Sequence, residues 1–223
     1  MARVRPSRIA GAGLALALTL CAGAGSAATV LNGSFEQPVL PDSWEPYTSA
    51  EMPGWDAAGT SIELWQSGFL GVTSQDGAQH AELNGTGFGT VFQDIAGLPA
   101  EAVLSFRFAH RGRNGPDTLA FALTDPGGDG AFGTGDDVAL FAGEYTAGPG
   151  AWVVNAGTAD RRTQGRPVRL SFETVATSGN RPSEGNLLDA VSLDVSVVPL
   201  PGGVPLLVTG LAALALLRGR ARG

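Results

Sequence analysis

The residues of this chain best suited to chemistry are oxygen donors. They are densest in Thr124-Asp125-Pro126-Gly127-Gly128-Asp129-Gly130-Ala131-Phe132-Gly133-Thr134-Gly135-Asp136-Asp137. Asp125, Asp129, Asp136 and Asp137 supply carboxylates, and the glycines let backbone carbonyls turn toward a hard cation such as calcium. The Asp-x-Asp-x-Asp-Gly spacing of an EF-hand, with its distal Glu, is absent. A long solvated hairpin is therefore the favoured reading of this loop, with calcium as the alternative. Asp189 is the second candidate. It falls in phase with Leu187, Val191 and Leu193, which predicts a carboxylate on the inner side of a strand. Such a group needs hydrogen-bond donors or a metal. A structural aspartate and a calcium ligand are both open for it.

Other chemistries are poorly served. His80 and His110 are the only histidines and have no His or Cys partner at ligand spacing, which argues against catalytic zinc. His110 continues the apolar face of Phe106 and Phe108, as a hydrogen-bonded core or strand-end residue would. Glu63 and Glu82 could pair for glycoside hydrolysis, which needs two acids flanking the scissile bond, but carboxylates are common here. No Gly-x-Ser-x-Gly elbow or phosphate loop is present, so the expectation is a protein that is not an enzyme. Sugar rings stack on exposed aromatics. Trp55 and Trp152 read as structural. Trp65, out of phase with Ile62 and Leu64, is the first surface candidate for stacking, and Tyr145 the second.

These residues need a scaffold, and the patterning predicts strands. Ala102 to His110, Thr118 to Thr124, Arg169 to Thr174 and Leu187 to Val197 alternate apolar and polar residues with period two. Weaker candidates are Ser61 to Trp65, Gln79 to Leu83, Thr90 to Ile95, Val138 to Ala142 and Trp152 to Asn155. Turn residues separate them, and no window has a convincing helical period. Many short strands at this spacing imply an all-β, antiparallel two-sheet jelly-roll sandwich over residues 29–197.

Charge narrows the partners. The chain has 223 residues and no lysine; eight of its arginines share residues 29–197 with all 21 acidic residues, a net of −13. Such a domain repels nucleic acid and anionic lipid. The one cysteine, Cys21, lies outside the predicted sandwich, which must hold together without a disulfide.

Residues 1–28 carry Arg3, Arg5 and Arg8, an apolar run and then Ser26-Ala27-Ala28, the pattern of a signal peptide that signal peptidase removes. Residues 198–223 carry Val198-Pro199-Leu200-Pro201, an apolar stretch, and Arg218, Arg220 and Arg222. They read as a proline motif, a short transmembrane helix in the inner membrane and a basic cytoplasmic stop.

Two family resemblances follow from these motifs. Asn32-Gly33-Ser34-Phe35-Glu36 resembles the opening, and Gly185-Asn186-Leu187-Leu188-Asp189-Ala190-Val191-Ser192-Leu193 the closing strand, of DUF642-like, galactose-binding-like carbohydrate-binding sandwiches. Between them Pro53-Gly54-Trp55, Ile62-Glu63-Leu64-Trp65, Phe92-Gln93-Asp94-Ile95 and Phe108 to Arg113 occur in the matching order. The resemblance implies polysaccharide binding and a structural calcium held by Glu36 and Asp189, although Ala190 stands where a second Asp is common. The tail resembles the PEP-CTERM/VPLPA class of sorting signal, with Gly202 where Ala is frequent. That implies an exosortase-type sorting protease and delivery to the cell surface or extracellular matrix of a Gram-negative-type bacterium. The expectation is an exported, non-enzymatic carbohydrate-binding protein. A structural or adhesive matrix protein without a sugar site, or a small polysaccharide-active hydrolase, are the alternatives.

Overall fold

Alternating apolar and polar residues do produce strands here. The computed structural model describes residues 30–197, which form β1 (Trp44–Tyr47), β2 (Asp56–Ala58), β3 (Ile62–Gln66), β4 (Gln79–Glu82), β5 (Thr90–Ile95), β6 (Ala102–Arg111), β7 (Asp117–Asp125), β8 (Val138–Ala147), β9 (Val153–Thr158), β10 (Val168–Ala176) and β11 (Leu187–Val197). Every pairing is antiparallel. One sheet has the order β1-β3-β4-β11-β6-β9, the other β2-β5-β10-β7-β8. This is the expected two-sheet jelly-roll sandwich. The expected signal helix, transmembrane helix, sorting motif and terminal arginines lie outside the described residues. Among the described residues no helix is long and apolar enough to cross a membrane.

The inner faces meet through aromatic rings. Phe108 of β6 lies 5.1 Å from Phe121 of β7 and 5.0 Å from Phe172 of β10. Trp55 stacks on Phe35 at 5.1 Å and is buried, as a structural tryptophan should be. Truncating such a buried ring to alanine costs roughly 3–5 kcal/mol.

Two elements went unpredicted. β1 contains Pro46 and Glu45, and β2 has three residues, so neither shows a readable period. Both pair at sheet edges, where Pro is tolerated because one side of the strand has no ladder to complete.

The phase of β11 also differs from the expectation. A bulge between Asp189 and Ser192, with Ala190 at φ 52°, shifts the strand by one residue. Leu188, Val191, Leu193 and Val195 enter the core, while Leu187 packs with Trp65 and Val72 on the other side of the sheet. Asp189 follows Leu187, so it is buried on the outer face rather than the inner one. The opening motif docks at this bulge. Val191 N–H donates to Gly33 O at 2.8 Å, and a Cβ on Gly33 would collide with Val191 O.

Candidate functional site

The outer face of the six-stranded sheet is partly roofed. Phe69 and Val72, from the segment joining β3 to β4, and Trp152, just before β9, pack against Trp65 and Leu187. Phe69 meets the Trp65 ring edge-on at 4.9 Å, and Trp152 donates its Nε1–H to Thr73 O at 2.8 Å. Trp65 is consequently 1% exposed, which corrects its expected place on the surface. It does point to the outer face, as its phase implied; the roof is what buries it. Tyr145 does not join it. It lies on β8 of the other sheet, half-buried with its ring 5.1 Å from Phe108, and faces the core. Trp65 is thus closed off from solvent, and Tyr145 turns its ring toward the core.

An exposed tryptophan stands beside the roof instead. Trp44 is directly opposite Trp65 across β1 and β3 and is 46% exposed. Side chains opposed in register share one face of a sheet. Trp44, Trp65, Phe69, Glu63, Arg113 and Glu184 line a pocket of about 270 Å³. The Arg113 guanidinium lies 4.7 Å from the centre of the Trp65 ring and donates from Nη1 to both oxygens of Glu82, at 3.2 and 3.1 Å. Its Nη2 makes no hydrogen bond among the described residues, so it can donate to a ligand.

Loop contacts hold these groups in place. Asp117, 1% exposed, accepts from Arg113 N at 2.7 Å and Ser178 N at 2.6 Å, tying the β6–β7 and β10–β11 loops together. Glu184 accepts from Asn114 Nδ2 at 2.7 Å and Arg181 Nη1 at 2.8 Å. Behind the pocket, Glu63 and Glu82 are directly opposed across β3 and β4. Burial pushes the Glu82 carboxyl up to about 8, against the opposing pull of the Gly185 N–H and Arg113; the neighbouring Glu63 carboxyl adds to the rise. Trp65 Nε1 donates to Glu63 at 3.2 Å. His80, under the roof, bonds Ser74 Oγ at 2.9 Å, and burial pushes it down to about 4. His110 is a buried structural residue, hydrogen-bonded to Asn186 at 3.0 Å, and burial pushes it also to about 4.

The expected calcium residues fall in two places. Glu36 and Asp189 converge on one segment: Glu36 Oε1 accepts from Ala78 N at 2.8 Å and Gln79 N at 2.9 Å, and Asp189 Oδ2 accepts from Gln75 N at 2.8 Å and Asp76 N at 2.9 Å. Asp189 Oδ1 accepts from Ala190 N at 2.7 Å. Burial raises Asp189 to about 7 in spite of these donors. Calcium takes roughly six to eight oxygen ligands. Here backbone N–H groups meet the carboxylates, so the arrangement fits a hydrogen-bonded clasp.

The acidic loop joins β7 to β8 as a hairpin. Asp136 accepts from Gly128 N at 2.6 Å and Thr134 Oγ1 at 2.8 Å, Asp137 from Gly133 N at 2.7 Å, and Asp129 from Ala131 N at 2.8 Å. Asp125 is buried at the end of β7 and paired with Arg166 at 2.8 Å. Among the described residues no group of three or more His, Cys, Asp or Glu side chains is arranged to hold a metal ion.

Several solved structures are similar to this chain in fold. The CBM22-1 xylan-binding domain from Paenibacillus barcinonensis Xyn10C is similar with a TM-score of 0.46 and 13% identity, over 71% of this chain and 99% of that one. The family 11 carbohydrate-binding module from Clostridium thermocellum, in complex with a β-1,3-1,4-mixed-linked tetrasaccharide, gives 0.43 and 12%, over 78% and 98%. The K2 cleaved adhesin domain of Lys-gingipain gives 0.44 and 14%, over 77% and 99%. No family model and no curated protein matches the chain.

Proposed function

We propose that this sandwich binds a neutral polysaccharide at the Trp44 pocket and is exported to do so. The observation that carries the proposal is the pairing of an exposed indole with fixed polar groups in a pocket the size of a single sugar ring. Trp44 offers the apolar face of a pyranose a stacking surface, and Arg113 and Glu184 offer a donor and an acceptor to its hydroxyls. A non-catalytic role is supported by the carboxyl pair. Glu63 and Glu82 stand directly opposite one another on neighbouring strands, and Glu82 is fully buried, whereas a glycosidase needs both acids at the scissile bond.

Export and sorting belong to the same proposal. Residues 1–28 would be removed by signal peptidase, and Val198 to Pro201 would direct an exosortase-type protease to the tail. The working domain would then be released to the cell surface or matrix. Calcium enters only as the expectation attached to Glu36 and Asp189 and is tested separately by chelation.

The test is calorimetric titration of the protein with neutral oligosaccharides, including xylan, mixed-linked β-glucan and β-1,4-galactan fragments. Saturable binding to at least one, lost in Trp44→Ala, supports the reading. Binding to none of them rejects it and favours the adhesive alternative.

A further inference from the structure

Strands at the edge of a sheet present unpaired backbone groups, and proteins usually blunt them with short length, proline or charge. Two edges here are blunted: β1 carries Pro46 and Glu45, and β2 has three residues. β8 is different. It is an edge strand of ten residues with no proline, and its one charge is Glu144.

The ladder shows which β8 groups face outward. Thr174 N donates to Gly89 O at 3.0 Å, so Thr174, Phe172 and Leu170 of β10 bond toward β5. Bonding direction alternates along an antiparallel strand. Glu173 and Ser171 therefore bond to Ala120 and Ala122 of β7, and Leu119 and Phe121 bond to Tyr145 and Gly143 of β8. This leaves the N–H and C=O of Ala142, Glu144 and Thr146 on the open edge. The edge is closed only to either side of them. Leu140 O accepts from Asp160 N and Arg161 N at 2.9 and 3.3 Å, and Gly148 O accepts from Gly112 N at 3.1 Å. Between those points the three residues have no backbone partner among the described residues.

The sandwich is also open along this flank. Phe141 and Tyr145, on the inner face of β8, are only half-buried, although their rings pack on Phe106 and Phe108 at 4.6 and 5.1 Å. Val153 begins β9, which neighbours β6 at the edge of the facing sheet, and it is 43% exposed. Free backbone groups beside half-covered rings are a template for one more strand.

The strand that fits is β8 of a second copy, because β8 is complementary to itself in one register. With Tyr145 opposite Tyr145 of the second copy, each Glu144 faces a Thr146, and the two exchange both backbone hydrogen bonds. No like charges meet, and the Thr146 hydroxyl, bonded to Thr118 Oγ1 at 2.8 Å, lies beside the carboxylate. A register centred on Glu144 sets two carboxylates face to face, which destabilises a cross-strand pair. One centred on Gly143 drives Thr146 into the backbone already bonded at Leu140. We propose that this protein forms a two-fold dimer by antiparallel pairing of β8 with β8, centred on Tyr145. Trp44, on β1 at the opposite edge of the facing sheet, stays free in the pair. The contact joins backbone and apolar rings of two domains that each carry a net charge of −13, so added salt strengthens it by screening their repulsion.

The test is sedimentation equilibrium of the protein purified from its host, over a range of concentrations at low and high salt. The mass should rise from one chain toward two with concentration, and more readily at high salt. Thr146→Pro removes an N–H that faces the open edge, so it breaks no ladder bond within the chain and should leave the protein folded. Its dimerisation should weaken at least tenfold. A cross-linking measurement stands apart from that variant. Directly opposed residues that are not hydrogen-bonded have Cα atoms about 4.5 Å apart, within disulfide reach. Tyr145→Cys should therefore give a disulfide-linked dimer on mild oxidation, and Phe141→Cys, displaced from its own counterpart, should not. The proposal is overturned by a monomer at every concentration, by a dimer that weakens with salt, by undiminished dimerisation of folded Thr146→Pro, or by equal cross-linking of the two cysteine variants.

Discussion

Trp44 and Trp65 oppose one another in register across β1 and β3, yet one is 46% exposed and the other 1%. The pair joins a buried anchor to an exposed pocket rim. Trp65 anchors the roof of Phe69, Val72 and Trp152, and Trp44 is left at the pocket rim.

The two tryptophans should therefore respond differently to truncation. Trp65→Ala removes a fully buried ring and should cost roughly 3–5 kcal/mol of stability. Trp44→Ala should change stability by less than about 1 kcal/mol, because an exposed side chain loses little burial. Urea denaturation of both variants checks this, and equal losses would remove the distinction between anchor and rim.

The buried titratable groups set a pH profile. Glu82 is raised from 4.5 to about 8 and Asp189 from 3.8 to about 7, so in the folded state each holds a proton that the unfolded chain releases earlier. Their contribution is present at low pH and is lost as pH climbs to the folded values. His80 and His110, lowered from 6.5 to about 4, act oppositely: stability rises with pH between those values. From about pH 4.5 to 6.5 the two pairs offset each other. Above 6.5 only the carboxyls remain, so stability should fall from pH 6.5 to 8, with a slope of at most about 1.4 kcal/mol per pH unit for each group. Glu82→Gln should flatten the upper part of that fall. A denaturation midpoint that rises from pH 6.5 to 8 would contradict the assignment.

The clasp of Glu36 and Asp189 makes a separate prediction. A Cβ on Gly77, at φ 62°, would collide with Glu36 Oε1. Gly77→Ala should cost about 1–3 kcal/mol, as other changes at special backbone positions do. If the clasp needs no ion, a chelator leaves the melting temperature of the parent within about one degree, since removing a native-state ligand must lower it. A larger chelator-dependent fall would establish calcium there.

Processing of the tail can be read from the intact mass of the protein purified from its own host. Cleavage by a sorting protease predicts an end near Pro201; a retained Arg222 would indicate a permanent anchor.

The sequence carried the scaffold further than the site. β5 and β11 have the bounds that period two predicts, and β6, β7 and β10 differ by at most two residues at an end, whereas β8 runs to Ala147, five residues beyond the expected Ala142. Ala190 hid the bulge, because alanine gives no signal of a positive φ, and the phase of Asp189 was lost with it. Alternation predicts which face a side chain takes but not whether a loop covers that face, so Trp65 read as a surface residue. The pocket itself unites Trp44, Glu63, Arg113 and Glu184, which only the sheet order brings together.

The central claim is that Trp44 and the polar groups beside it hold a sugar. Calorimetric titration of parent and Trp44→Ala with the same neutral oligosaccharides tests it most directly. The account predicts saturable binding by the parent and at least a tenfold loss, about 1.4 kcal/mol, in a variant of unchanged melting temperature. Undiminished binding by Trp44→Ala would contradict it.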